Sequence, residues 1–538
     1  MYTVFSTFAA VAAGSHVRPF ICIPPRDDRS WLPEGAEFTF GEVLRRVLQL
    51  RSDYAGAGYG HGHRAALLLE NRPDFLFHFL ALNSLGASIV PINPDLVPAE
   101  IAYILEHSEA DLVVGLSSRL DALRHAARGV PKRPPVADAE LWKEAPPVQG
   151  RTFLKGSPTD ESEAAILYTS GTTGQPKGCV LTNRAMLATA RSYVAAGGSI
   201  TFFAGQDRLI SPLPLFHVGG LCLTTLGMMV SGNCIILLER FRPSQFWRDA
   251  VAARATVMHY LGVVPAMLMS QPDTPDEHAH SIRFGLGGGA SPSLIERFRH
   301  RFGIALTEGW SMTEVGRCTW NNYASHHTAQ PCIGRSSDGL EARVVDEHDD
   351  EVPHGTIGEL CVRWAGLEGP RWGFFAGYLK DPQATESGWR GGWWHTGDAV
   401  TMEDDGTLIF IDRRKNIIRR SGENIAAAEV EQMLASHPAV AQAAVVAVAD
   451  EIREEEVLAC VVLKDGVQGD LATARLLFDH CGENLAYFKV PGWVLFMSEI
   501  PTTGSQKVAK SQLFPGNADP RTYAGIHDLR VLKRRGQS

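Results

Sequence analysis

Eleven consecutive residues, Tyr168-Thr-Ser-Gly-Thr-Thr-Gly-Gln-Pro-Lys-Gly178, concentrate the groups that bind phosphate. Gly171, Gly174 and Gly178 have no Cβ to keep an anion away from backbone N–H groups. Thr169, Ser170, Thr172 and Thr173 add hydroxyl donors, and Lys177 adds charge. The apolar run Ala164-Ala-Ile-Leu167 precedes them, so the segment reads as a buried strand opening onto a nucleotide-phosphate loop. It is not a Walker A loop, which needs Gly-x-x-x-x-Gly-Lys-Ser/Thr leading into a helix. Here Pro176 precedes the lysine, Gly178 takes the hydroxyl position and Cys179-Val-Leu-Thr182 reads as extended chain. A solvated Gly/Thr linker seldom follows a buried strand or fixes a lysine between Pro and Gly.

Further motifs follow in order: Pro214-Leu-Phe-His217, Gly287-Gly-Gly-Ala-Ser291, Glu308-Gly-Trp-Ser-Met-Thr-Glu314, Trp394-His-Thr-Gly-Asp398, Asp412-Arg-Arg-Lys-Asn-Ile-Ile418, Ser421-Gly-Glu-Asn-Ile425 and Lys507-Val-Ala-Lys510. A carboxylate beside Thr313, after the turn-forming Gly309, suits a magnesium ion otherwise held by phosphate and water. An acceptor-only carboxylate such as Asp398 suits a diol. With the phosphate loop, this ordered series resembles the adenylate-forming superfamily of acyl- and aryl-CoA ligases, peptide-synthetase adenylation domains and beetle luciferases. The wording from Asp412 to Asn424 looks nearest to the carnitine/crotonobetaine-CoA ligase and general acyl-CoA ligase branches.

The resemblance implies a two-step reaction with ATP, Mg2+ and coenzyme A. A carboxylate is first activated as an acyl-adenylate with loss of pyrophosphate, then passed to the CoA thiol. It assigns Thr313 to the α-phosphate and Glu314 to the metal, and gives Trp310 an aromatic position stacked on adenine. Gly288, Gly289 and Ala290 line the adenine and acyl sites, and Glu308 and Gly309 are expected to bind the nucleotide with them. Asp398 and Arg413 reach the ribose. Lys415 falls at the hinge about which the small domain is expected to swing. Lys507 supplies the cation between substrate carboxylate and α-phosphate, although Gln506 stands where glycine is usual; Lys510 is the lesser candidate. Ser421, Gly422 and Glu423 resemble the pantetheine tunnel; Arg419, Arg420 and Lys489 are read either as cations for the CoA phosphates or as exposed cations without a specific task. His217 flanks the acyl site and the thiol entrance.

The elements that must position these groups alternate. Helical patterns over 73–85, 98–108 and 244–253 lead into short aliphatic runs over 88–92, 111–115 and 256–260. Such alternation argues for an α/β fold of helix-covered parallel sheets, with ligands at the strand ends. After about residue 340, runs over 340–345, 358–363 and 407–411 are separated by turn-rich acidic pieces and read as antiparallel strands of a small β-barrel. The last section holds a helix over 426–436 and strands over 441–448 and 457–463, a compact α+β domain. The expected domains are therefore 1–413, with the barrel over 340–413, and a mobile 414–538.

A chain of 538 residues exceeds what one core supports. A formal charge of −9 argues against broad nucleic-acid binding. Nine cysteines without a Cys-x-x-Cys pair suggest reduced thiols in the cytoplasm and make zinc an unfavoured guess; the paired histidines at 61/63, 278/280 and 326/327 read as surface loops. Residues 4–14 lack the preceding basic residue of a secretory signal. Residues 218–238 run uncharged for a membrane-spanning length, but Ser231-Gly-Asn233 breaks them into a helix and a buried strand. The reading is an enzyme without a membrane span, monomer or homodimer, acting on a small carboxylic acid. The apolar segments after His217 and around residues 258–262 favour an uncharged acyl or aryl acid over an amino acid. Alternatives are an adenylating enzyme that loads a carrier protein, a luciferase-like oxygenase, and a nucleotide-binding protein without catalysis.

Overall fold

The computed structural model describes residues 2–150, 152–169, 176–261, 263–290, 292–322, 332–336, 339–413, 417–501, 510, 513–514 and 519–533. The chain divides into two compact units. The first comprises Met1–Pro94, Ile104–Tyr168 and Gly178–Asp412; the second comprises Asp95–Tyr103, Thr169–Lys177 and Arg413–Ser538.

The first unit is built on sheets. An eight-stranded sheet runs in the order Cys318–Trp320, Ala305–Ser311, Phe284–Gly288, Val257–Leu261, Arg208–Ser211, Cys234–Leu237, Pro19–Ile23 and Ala36–Thr39. Its interior pairs are parallel and an antiparallel hairpin closes each edge. A seven-stranded sheet runs Gly377–Tyr378, Lys177–Thr182, Glu163–Thr169, Ser88–Pro91, Arg64–Leu68, Leu112–Gly115 and Val136–Asp138. Strands such as Ser88–Pro91, Leu112–Gly115 and Arg208–Ser211 are buried throughout, as expected of parallel sheets covered on both faces. The region read as a barrel is a five-stranded sheet in the order Cys332–Gly334, Leu408–Arg413, Trp394–Met402, Gly358–Trp364 and Leu340–Val345. No pairing joins its first strand to its last among the described residues.

Two ambiguous segments have plain structural explanations. Val4–Gly14 is a helix whose Thr3 and Ser6 exchange capping-box hydrogen bonds, and Val4, Phe8 and Ala12, spaced four apart, enter the core. The uncharged run begins as a π-helical turn, Gly219–Thr225, continues as helix Leu226–Val230 and ends at Gly232 before the buried strand Cys234–Leu237. Within the turn Gly220 lies against the Pro214 carbonyl, where a Cβ would sit 2.2 Å from the oxygen. The Thr224 and Thr225 hydroxyls both donate to the Gly220 carbonyl. No helix among the described residues is long and apolar enough to cross a membrane.

The second unit carries a six-stranded sheet. Strand Glu454–Leu463 pairs with the long antiparallel strand Val440–Asp450 and, in parallel, with Trp493–Phe496. Helices Ala427–Ser436 and Leu471–Asn484 cover it around Val430, Leu434, Val457, Leu477 and Val494. The tail is more firmly held than a frayed end: Ile526–Asp528 adds a strand, and Lys533 is buried on Glu456 at 2.5 Å.

The nine cysteines are buried free thiols. The histidine pairs are not all surface loops. His63 is buried, and His280 stacks on Trp247 with ring centroids 5.1 Å apart. His326 and His327 lie outside the described residues.

Candidate active site

Parallel strands Phe284–Gly288 and Ala305–Ser311 lie side by side, with Gly287 opposite Glu308. The chain turns at Gly289, whose φ of 91° favours glycine. Beneath the turn, Glu308 is buried and accepts on both oxygens: Gly289 N–H at 2.7 Å on Oε2, Ala290 N–H at 3.1 Å and Tyr260 Oη at 2.7 Å on Oε1. Burial, reinforced by Glu308, keeps the Tyr260 phenol protonated. Glu308, predicted to bind nucleotide, therefore braces the glycine loop that carries Gly288, Gly289 and Ala290.

Two residues along the same strand, the Trp310 indole N–H donates to Asp398 Oδ2 at 2.7 Å. Asp398 is buried in strand Trp394–Met402. Its own N–H donates to Thr396 Oγ1 at 3.1 Å, and Gly397 N–H donates to Glu359 Oε1 at 3.0 Å. His395 is buried, with Nδ1 3.3 Å from Cys361 Sγ and 3.2 Å from Glu359 Oε2. These three could surround a metal ion, but the Arg390 guanidinium already lies 2.9 Å from the same ring nitrogen.

Beyond Ser311 the chain makes a turn closed by Val315 N–H on the Met312 carbonyl at 3.2 Å. The turn leaves Thr313 half-buried and Glu314 buried. Tyr378 Oη donates to Glu314 Oε1 at 2.7 Å, and Cys179 Sγ lies 3.7 Å from that oxygen. A buried hard carboxylate met by neutral donors fits one ligand of a magnesium ion that takes its remaining oxygens from phosphate and water. Trp310, Thr313, Glu314 and Asp398 thus gather around one strand end and the turn after it.

The phosphate loop is framed by strand Glu163–Thr169, with Ala164 to Leu167 buried, and strand Lys177–Thr182. Thr169 and Lys177 stand half-buried at the strand ends. Ser170, Gly171, Thr172, Thr173 and Gly174 lie outside the described residues, as do Lys415 and Lys507. Arg413 ends strand Leu408–Arg413.

His217 stands just before the π-helical turn, its N–H on the Pro214 carbonyl at 3.1 Å and its ring beside Phe216. Asn71, which sequence reasoning missed, fastens this stretch. Its carbonyl accepts from Leu215 N–H at 2.8 Å and its amide donates to the Leu213 and Leu238 carbonyls. An asparagine before Arg-Pro carries no local signal of that distant role. Met258, His259 and Tyr260 are buried, and burial drives His259 down to about 3 as a neutral partner of Tyr193.

In the second unit, Ser421 and Gly422 make a two-residue hairpin turn with φ of 52° and 84°, returning to Glu423. Arg453 closes it, donating to Ser421 Oγ at 3.3 Å. Two cations expected to face CoA phosphates point inward instead. Arg420 is buried on Glu456 at 2.8 Å, and Lys489 is buried between Glu100 and Glu429 at 2.7 and 2.8 Å. Burial opposes the Lys489 charge, but the two carboxylates outweigh it and lift the group to about 12. Lys510 is likewise engaged, by Glu431 at 2.6 Å and the Val445 carbonyl at 2.9 Å. Arg419 remains half-buried at the strand edge.

The sequence matches the AMP-binding enzyme family over residues 18–378 and the AMP-binding enzyme C-terminal domain over residues 429–507. It is 32% identical over 498 residues to a crotonobetaine/carnitine–CoA ligase of Proteus mirabilis (strain HI4320), covering 89% of this chain and 93% of that one. The Escherichia coli O139:H28 (strain E24377A / ETEC) enzyme of the same name is 30% identical over 492 residues, 88% of this chain and 93% of that one. Among solved structures, a double mutant of Bacillus subtilis o-succinylbenzoate CoA synthetase bound with a product analogue superposes with a TM-score of 0.80. It is 25% identical and covers 95% of this chain and 98% of its own. The same synthetase in complex with AMP gives 0.65 at 26% identity over the same shares. The chain belongs to the AMP-binding enzyme family and is an AMP-forming acid–CoA ligase.

Proposed function

We propose that the chain condenses a small carboxylic acid with ATP at the strand end bearing Trp310, Thr313, Glu314 and Asp398, and then transfers the acyl group to CoA. The observation that carries this reading is the 2.7 Å bond from Trp310, on the strand leading to Glu314, to Asp398 of strand Trp394–Met402, which sets an aromatic face beside a diol-accepting carboxylate. Thr169, Ser170, Gly171, Thr172, Thr173, Gly174 and Lys177 cradle the phosphates, and Thr313 holds the α-phosphate. Asp398 and Arg413 take the ribose, while Gly288, Gly289, Ala290 and Gly309, braced by Glu308, flank the base. Mg2+, held by Glu314, would screen the phosphate charge as pyrophosphate leaves. Lys507 supplies the cation at the carboxylate–phosphate junction, and Lys415 is the hinge between a domain over residues 1–413 and one over 414–538. Ser421, Gly422 and Glu423 receive pantetheine, and His217 borders the acyl group. The reaction is cytoplasmic.

The relatives' names put carnitine-like betaines among the acids to try. The test is pyrophosphate release across aliphatic, aromatic and betaine acids, with and without CoA. Acid-dependent release followed by thioester formation supports the reading. ATP binding without pyrophosphate from any acid would replace it with a non-catalytic binder, and turnover only with a phosphopantetheinyl protein would replace CoA as acceptor.

A further inference from the structure

Two side chains from the edge of the seven-stranded sheet reach the same oxygen of Glu314. Tyr378 Oη lies at 2.7 Å and Cys179 Sγ at 3.7 Å. They are direct cross-strand partners, Tyr378 opposite Cys179 in the antiparallel pair of Gly377–Tyr378 with Lys177–Thr182, so both side chains leave the same face. The Tyr378 ring has little freedom. It packs edge-on against Phe375 at 5.0 Å and beside Trp394 at 6.3 Å, while its backbone N–H donates to Thr385 Oγ1 at 2.9 Å. Cys179 is the third residue of the strand that leaves the phosphate loop. The carboxylate is thereby gripped from the strand that ends that loop and from its edge partner.

We propose that Tyr378, assisted by Cys179, is a positioning residue that holds Oε1 of Glu314 and so orients the carboxylate toward the metal of the metal–ATP complex. This rests on the assignment of Glu314 as the metal carboxylate. Outer partners of a ligating carboxylate fix its direction, and their loss costs about tenfold to a hundredfold in metal affinity.

Tyr378→Phe keeps the packed ring and deletes the hydroxyl. Two readouts apply: Mn2+ affinity of the enzyme with a non-hydrolysable ATP analogue, measured by electron paramagnetic resonance, and the Mg2+ concentration giving half-maximal pyrophosphate release. Both constants are expected to weaken about tenfold, with kcat at saturating Mg2+ recovering to within about threefold. Cys179→Ala, removing a weak thiol donor, should weaken them about twofold. Glu314→Gln separates the two levels. If it leaves Mn2+ affinity unchanged, the metal assignment itself is wrong. If it weakens binding while both Tyr378→Phe and Cys179→Ala match the parent, the positioning role is overturned. Should Tyr378→Phe not fold, parental metal affinity in Cys179→Ala overturns it as well.

Discussion

Glu308 and Glu314 belong to one stretch of chain, both are buried, and they are gripped in different ways. Glu308 meets backbone N–H groups of the glycine loop on both oxygens, with Tyr260 added on one. Glu314 is met at Oε1 by two side chains from a neighbouring sheet. A carboxylate tied to backbone amides becomes part of the loop it supports, because moving it would uncover buried donors. A carboxylate steered by side chains has its direction set from outside, here by the segment whose Phe375 N–H also donates to the Glu314 carbonyl at 3.0 Å. The same residue type thus braces a glycine loop in one place and, on the proposed reading, faces the metal in the other.

The contrast breaks most sharply at Glu314. Glu314→Gln is expected to lower pyrophosphate release by about a hundredfold to a thousandfold, the scale of losing one transition-state electrostatic contact, with an unchanged melting curve. A comparable loss of folding stability would make Glu314 a second brace. Glu308→Ala should behave in reverse. It leaves two amides and a buried phenol without their acceptor and should cost about 3 kcal/mol in denaturant unfolding. Parental stability in that variant would erase the distinction.

This division was only partly legible in the sequence. The strands and helices were readable because their patterns are local: the buried run from Ala164, and Ser231-Gly-Asn233 interrupting an uncharged stretch. Glu314 and Asp398 stood out by motif. The bracing role of Glu308 was not readable, since it depends on Tyr260 arriving from another strand. Cys179 looked like mere extended chain because its partner, Tyr378, is brought opposite by sheet register rather than by spacing. Arg420 and Lys489 were misread for the same reason. Local sequence displays a cation, but the fold supplies Glu456, Glu100 and Glu429 to bury it. In the π-helical turn, Gly220 closely approaches the Pro214 carbonyl, a contact that no periodicity announces.

Trp310 sharpens the comparison at an intermediate scale, as a side chain that steers a carboxylate from within the same strand end. Trp310→Phe keeps an aromatic face but removes the N–H on Asp398. KM for ATP is expected to rise about tenfold, the equivalent of roughly 1.4 kcal/mol for a hydrogen bond to a charged group. The penalty should be smaller with 2′-deoxy- or 3′-deoxy-ATP, which use Asp398 less. An equal penalty for all three nucleotides would assign Trp310 to stacking and leave Asp398 positioned by its own strand.

The smallest effect extends the contrast to buried cations of the second unit. Burial pushes Lys533 down to about 7, against the Glu456 carboxylate that partly restores it, whereas the carboxylates around Lys489 lift that group to about 12. An unfolded lysine titrates near about 10.4. Between about pH 7 and 10 the unfolded chain therefore holds one more proton at Lys533 than the folded chain, and this group makes folding more favourable as pH rises. Lys489 is charged in both states over that window, and its contribution is lost only as pH climbs through the higher folded value. Denaturant midpoints at pH 6.5 and 9 should thus show Lys533→Met losing ground to the parent as pH rises, while Lys489→Met keeps a constant offset. A constant offset for both would mean that Lys533 stays charged in its burial site, held by Glu456 as firmly as Lys489 is by its two carboxylates.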